Sequence, residues 1–306
     1  MAISTDMLIE RSRMKRQVSF WRLAAIGAIV FFLVIMIEKP DAVTVSKAFI
    51  ARVDIEGVIT DDMPEQKMLK DLVKNDNAKA VILYLNTPGG TAVGGEELYK
   101  RINELKTKKP VVVLMRSLCT SAGIMTAVAA DRVYASNGTI TGSIGVILQS
   151  ADVTELASKL GIEPVIIKSG ALKGSPSPFE KLDTQGRAVV QSLIDDFHKV
   201  FVKMVADSRN LPYEDVAAIA DGRIFSAHQA LDYKLIDAIG SEDDALKWLQ
   251  KEKKIEKSAQ IRKIEPPKNN KGLLESLSSM AGLSIPSTLN TLKLDGLLLI
   301  WQPAYF

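Results

Sequence analysis

Short strand-like segments that alternate with helix-like ones constrain this chain more than any other feature. Apolar or alternating runs occur at Phe49–Ile59, Ala80–Leu85, Val111–Met115, Arg132–Ala135, Ile144–Leu148 and Val165–Ile167. Apolar residues at helical spacing predict helices over Met63–Leu72, Gly95–Leu105, Ala122–Ala130, Thr154–Leu160, Thr184–Asp207, Tyr213–Ala220 and Asp243–Gln250. Such alternation predicts an α/β fold whose strands are buried between layers of helices. The longest helix carries Val189, Leu193, Phe197, Val200, Phe201 and Met204 on one stripe, which reads as core or subunit contact. With 306 residues the chain can hold one domain of about 200 residues plus extensions.

The extensions differ in character from the domain. Residues 1–22 read as a basic cytoplasmic tail, 23–37 as a transmembrane anchor and 38–48 as a linker. Leu23–Ile37 contains no charge. It is short against the roughly 17–25 residues a span needs, but it can borrow Phe20 and Trp21 while Arg22 snorkels to the headgroups. Arg11, Arg13, Lys15, Arg16 and Arg22 precede the run, against only Asp6 and Glu10, so the positive-inside rule keeps the N-terminus cytoplasmic and puts the rest outside. A cleaved signal peptide is the rival reading, although Glu38-Lys39-Pro40-Asp41 offers no small-x-small cleavage site. Residues 49–250 form the globular domain and 251–272 a charged linker with Pro266-Pro267 and Asn269-Asn270. Residues 273–306 form an apolar tail with three readings: packing on a neighbouring subunit, lying on the membrane, or occupying the peptide groove of its own or another copy.

Composition narrows the chemistry. A net charge of +3 gives no pull toward nucleic acid or acidic ligands. Two histidines, His198 and His228, with no CxxC or HExxH motif, argue against a metal centre, and no cofactor is expected. The single cysteine, Cys119, forbids an intrachain disulfide and reads as a small packed hydrophobe.

Three segments carry possible chemistry. Ser121 follows the strand Val111–Met115 and opens a run of small residues, a strand-to-helix turn where a negative oxygen is favoured by the helix end. The bland alternative is an N-cap serine. Lys173 lies in Gly170-Ala171-Leu172-Lys173-Gly174-Ser175-Pro176, a stretch poor in acids that would hold its proton. A neutral lysine can deprotonate a serine hydroxyl, although a surface position is the default for any lysine. Finally, Asn86-Thr87-Pro88-Gly89-Gly90 ends a buried strand, and its glycine N–H groups can face an oxyanion, or can simply form a turn.

Taken in order, these segments resemble the signal peptide peptidases of the SppA type, in the short single-domain form. Asn86-Thr87-Pro88-Gly89-Gly90, Ser121-Ala122-Gly123, Ala129-Ala130-Asp131-Arg132-Val133-Tyr134-Ala135, Thr141-Gly142-Ser143-Ile144-Gly145-Val146, Lys168-Ser169-Gly170 with Lys173, and Asp221-Gly222-Arg223 with Leu235-Ile236-Asp237 carry the likeness. It spans roughly residues 50–250 plus the anchor. The resemblance implies a Clp-protease/crotonase-like repeated ββα superhelix with an N-terminal transmembrane helix. It also implies a Ser–Lys dyad: Ser121 as nucleophile, Lys173 as general base, Gly90 and Ala122 N–H groups as the oxyanion hole, and Ser143 orienting the lysine amine. Relatives commonly place Ser-Gly-Gly and aromatics where this chain has Ser121-Ala122-Gly123-Ile124-Met125, a change that keeps the N–H but alters the pocket.

The implied activity is endopeptidase cleavage of remnant signal peptides and other apolar peptides. The implied setting is a homo-oligomer anchored by a single pass in the bacterial inner membrane, with its catalytic domain on the periplasmic side. Two rival functions remain: a Ser–His–Asp peptidase of the Clp type using His198 or His228, and a membrane-tethered scaffold of the same fold without chemistry. A crotonase-like acyl-CoA enzyme would not need the serine or the anchor.

Overall fold

The structure, a computed structural model, describes residues 20–29, 48–266 and 298–300. It divides into two units, Met1–Lys47 and Ala48–Phe306. In the first, helix α1 covers residues 20–29 and is exposed throughout. No described helix is long and apolar enough to cross a membrane. The expected span over residues 23–37 continues past α1 into residues outside those described, as does most of the 273–306 tail.

The second unit is built on strand alternation. Strands β1 (Phe49–Glu56), β2 (Ala78–Thr87) and β4 (Val111–Thr120) lie side by side in parallel. One face carries Val53, Leu83 and Val113; the other carries Ile50, Ile82 and Val112. Period-2 side chains thus feed two separate apolar layers, as a doubly covered sheet requires. The first layer packs against α2 (Pro64–Lys74), α3 (Ala92–Lys106), α4 (Ala122–Ala127) and α6 (Thr184–Arg209) through Leu69, Leu98, Met125 and Phe201. The second is sealed by Ala245 and Leu249 of α9 (Glu242–Glu252). Burying residues of this kind contributes about 1.5–3 kcal/mol each.

Shorter elements complete the sheet. The order is β7-β6-β4-β2-β1-β9, with β5 joined to β4 and β8. Here β5 is Arg132–Ala135, β6 Ile140–Gly142, β7 Ile224–Ser226, β8 Ala238–Ile239 and β9 Gln260–Lys263. All pairings are parallel except β6 with β7. Strand β4 serves two neighbours in turn: Val112–Met115 pair with β5, and Leu118–Thr120 pair with β6. Against β2 the register jumps from Leu85–Met115 to Thr87–Cys119, so β4 bulges at that point. Helices α5 (Thr154–Lys159), α7 (Tyr213–Ala217) and α8 (Ala227–Asp232) lie outside the sheet, and α8 opens on a full capping box from Ser226 to Gln229.

Two expected strands are not formed. Ile144–Leu148 is irregular apart from a bridge residue at Ile147, and Val165–Ile167 has no regular structure. Val165 is 86% exposed and Ile167 94%, so these apolar residues find no covering layer among the described residues. The charged stretch read as a linker contains β9, which extends the sheet edge beside β1. Separate from the main sheet, β3 (Gly89–Thr91) pairs antiparallel with β10 (Leu298–Ile300).

Candidate active site

The bulge in β4 delivers Ser121 to the junction with α4. Ser121 is 1% exposed and its backbone has φ 55° and ψ −117°, a left-handed conformation costly for a residue with a Cβ. It occupies the N-cap position, yet its side chain makes no capping hydrogen bond. Among the described residues its hydroxyl has no hydrogen-bond partner, so the bland role of a capping serine is not the one it plays. The Ser121 N–H donates to Gly142 O at 2.8 Å, which locks the turn to the end of β6.

Gly90 and Ala122 lie on elements that α3 links. Thr91 caps α3 by accepting from Gly94 N–H at 3.0 Å. A Cβ on Gly95 would stand 3.0 Å from the Ala122 Cβ, so α3 and α4 lie in contact at their first turns. Gly123 likewise touches Thr87, with a Cβ there only 2.7 Å from Thr87 Cγ2. Gly90 itself admits no side chain, because a Cβ would fall 1.8 Å from Ile59 O. Its neighbours are pinned on both sides, Ile59 N–H donating to Gly89 O at 2.8 Å and Thr91 N–H to Ile59 O at 2.9 Å.

Ser143 follows Gly142 directly and is 8% exposed. It too has positive φ, at 52°, and its N–H donates to Arg223 O at 2.7 Å. The ends of β4 and β6 therefore carry two serines on adjacent parallel strands. The Asp221-Gly222-Arg223 motif supports this end of the site, with Arg223 holding Asp221 in a bidentate pair and the Gly222 N–H bonded to Ile144 O.

No hydrogen bond joins Lys173 to the buried Ser121 among the described residues. Lys173 is exposed, in a turn closed by its N–H to Gly170 O at 3.1 Å. Among the described residues its amine has no ion-pair or hydrogen-bond partner. Lys168, in the same segment, is instead paired with Glu180. The other candidates are accounted for. Cys119 is fully buried, and burial pushes its thiol up. His198 Nε2 lies 2.7 Å from Ala220 O, and His228 is exposed.

The sequence alone suggests no role for Gly142. The structure gives it one: φ 86°, the carbonyl that receives Ser121 N–H, and no room for a Cβ, which would lie 2.5 Å from Phe225. The signal was the glycine between Thr141 and Ser143, since only glycine adopts that conformation without strain. A mostly apolar cavity of about 210 Å³ also opens beside α4, lined by Ala92, Met125, Phe197, Val200, Phe201 and Met204 together with the carboxylates of Glu96 and Asp196.

The model of peptidase family S49 matches residues 103–256. The chain is 37% identical over 207 residues to a candidate protease of Synechocystis sp., covering 67% of this chain and 74% of that one. It is 35% identical over 188 residues to a candidate signal peptide peptidase SppA of Enterococcus faecium, covering 61% of this chain and 55% of that one. The chain thus spans only about half of the second relative's length. Among solved structures, a mutant of the 1510-N membrane-bound stomatin-specific protease is similar with TM-score 0.48 and 18% identity, covering 72% of this chain and 99% of that one.

Proposed function

Because the chain belongs to peptidase family S49, we propose that it is a membrane-anchored serine endopeptidase that uses Ser121 and Lys173 to cleave apolar peptides, remnant signal peptides among them. The observation that carries this reading is the strained, buried Ser121, held at a strand-to-helix turn with its hydroxyl uncommitted to capping. Energy stored in such a turn is a feature of sites where a side chain must be presented rather than packed.

In this reading neutral Lys173 takes the hydroxyl proton as Ser121 attacks the peptide carbonyl. Gly90 and Ala122 N–H groups hold the tetrahedral oxygen, Lys173 protonates the leaving amine, and water then hydrolyses the acyl-enzyme. Ser143 steadies the amine. The cavity beside α4, apolar except for Glu96 and Asp196, accepts a substrate side chain.

The exposed Lys173 sets a condition: the segment that bears it must pack down for the dyad to form. Exposed Ile147, Val165, Ile167, Leu172, Val189 and Leu193 give that segment and α6 a large apolar surface, and a homo-oligomer would cover it. A Clp-protease/crotonase-like arrangement, with an anchor in the inner membrane and the domain in the periplasm, completes the proposal. The N-terminal basic residues support that orientation.

The test is hydrolysis of an apolar fluorogenic peptide by the full chain in detergent. Ser121→Ala and Lys173→Ala should each lower kcat by about 10²–10⁴-fold with the fold intact by circular dichroism. Turnover retained in either variant sinks the dyad.

A further inference from the structure

The groups that hold Ser121 converge on one peptide unit. Its carbonyl, on Gly142, accepts from Ser121 N–H at 2.8 Å, and its N–H, on Ser143, donates to Arg223 O at 2.7 Å. A peptide unit is planar, so one end cannot turn without the other. Ser143 sits at φ 52°, a conformation that a residue with a Cβ keeps only where its surroundings enforce it. Without the Arg223 contact this peptide would rotate and carry Gly142 O away from Ser121 N–H. The 220–223 turn is therefore the backing of the Ser121 main chain.

That turn is stiff within itself. Asp221 accepts from Arg223 N–H at 3.1 Å and from the Arg223 guanidinium through both oxygens. Yet residues 221–223 are exposed, so the turn depends on its anchors to the rest of the domain. Toward the site, Gly222 N–H donates to Ile144 O at 3.1 Å. Away from it, His198 Nε2 of α6 meets Ala220 O at 2.7 Å. A carbonyl only accepts, so Nε2 carries the proton and is the donor. That nitrogen is committed to the turn and closed to base chemistry. His198 is half-buried and is not among the residues that line the cavity beside α4.

We infer that His198 is a positioning residue for Ser121, acting through the 220–223 turn and the Gly142–Ser143 peptide, a role that rests on the proposed one of Ser121 as nucleophile. Three hydrogen bonds in series join the imidazole to the Ser121 main chain: His198 to Ala220 O, Ser143 N–H to Arg223 O, and Ser121 N–H to Gly142 O. With the first removed, Arg223 O loses its fixed place and the Ser121 hydroxyl its fixed direction. The chemical step suffers and substrate capture does not, because the histidine is no part of the cavity.

The test uses the full chain in detergent and the same fluorogenic peptide. His198→Ala should lower kcat about tenfold, the worth of one hydrogen bond, and leave KM within about twofold. His198→Gln, whose amide N–H reaches the same point, should return kcat to within about threefold of the unsubstituted chain. Asp221→Ala loosens the turn from within, so the His198→Ala, Asp221→Ala double variant should lose no more than the weaker single one, since both act through Arg223 O. Independently of activity, hydrogen exchange in His198→Ala should speed about tenfold at the Ser121 and Ser143 amides while the amides of β1 and β2 keep their rates. Unchanged kcat in His198→Ala, failure of glutamine to restore it, additive losses in the double variant, or exchange that speeds everywhere alike would each overturn the inference and, with hydrolysis proceeding, leave the peptidase standing. Faster exchange confined to those two amides, with no hydrolysis by any of the proteins, keeps the relay and overturns the peptidase.

Discussion

Replacing Ser121 by glycine separates the energetics of the turn from its chemistry. At φ 55° and ψ −117° a residue with a Cβ stores about 1–3 kcal/mol. Ser121→Ala keeps that strain and removes only the hydroxyl, so the alanine protein is the reference. Passing from alanine to glycine relieves the strain, say about 2 kcal/mol. Against this, glycine gains about 0.7 kcal/mol of unfolded-chain entropy, and loses about 0.8 kcal/mol of buried Cβ contact because the site is 1% exposed. The sum leaves the glycine protein about as stable as the alanine one, or more so by about 0.5 kcal/mol. At an unstrained buried position the same exchange would cost about 1.5 kcal/mol, a melting shift of about 3–6 °C for a domain of this size. Urea and thermal unfolding of both variants read the difference directly, and neither should hydrolyse peptide. A glycine variant about 1.5 kcal/mol weaker than the alanine variant would refute the claim that the turn is under strain.

Two further outcomes follow from contacts already described. Gly90→Ala drives a Cβ to within 1.8 Å of Ile59 O, so β3 must move off Ile59 and lose the bonds at 2.8 and 2.9 Å. At about 1 kcal/mol each, the expected loss is about 2 kcal/mol or more in urea titration together with loss of hydrolysis, and unaltered activity would show that Gly90 is not where substrate sits. Asp221 is held at about 2, chiefly by the side-chain hydrogen bond from Arg223 and then by its backbone N–H. Because the folded value is depressed, this pairing stabilises the fold fully above the ordinary value of 3.8 and ceases to do so as pH falls toward 2. The stability gap between the protein and Asp221→Asn should therefore close across that window; curves that run parallel through it would count against the pairing.

The parts of the fold legible in the sequence are those whose burial is complete within one chain. Ala80–Leu85 and Val111–Met115 are covered on both faces, and their unbroken apolarity announced it. Val165–Ile167 carries the same composition but is exposed, because apolar content alone does not say whether a helix layer or a second molecule does the covering. Among candidate site residues, Ser121 and Gly90 stand out in the sequence because a serine between strand and small-residue helix, and a glycine pair after a buried strand, are locally unusual. Gly142 stands out less, since its role depends on β6 lying beside β4, a contact between segments that no local spacing encodes. β10 was invisible as a strand for the same reason: its partner, β3, lies far back along the chain.

The fork in β4 has a consequence for how this chain tolerates change in length. Residues up to Met115 belong to one neighbour and residues from Leu118 to another, and the bulge between them sets the phase of everything that follows. Deleting one residue between Arg116 and Leu118 would turn each later side chain of the strand to the opposite face. Cys119 would leave the core and Ser121 would present its backbone where its hydroxyl now stands. The count of residues in that bulge thus fixes where Ser121 stands as firmly as any contact Ser121 makes itself.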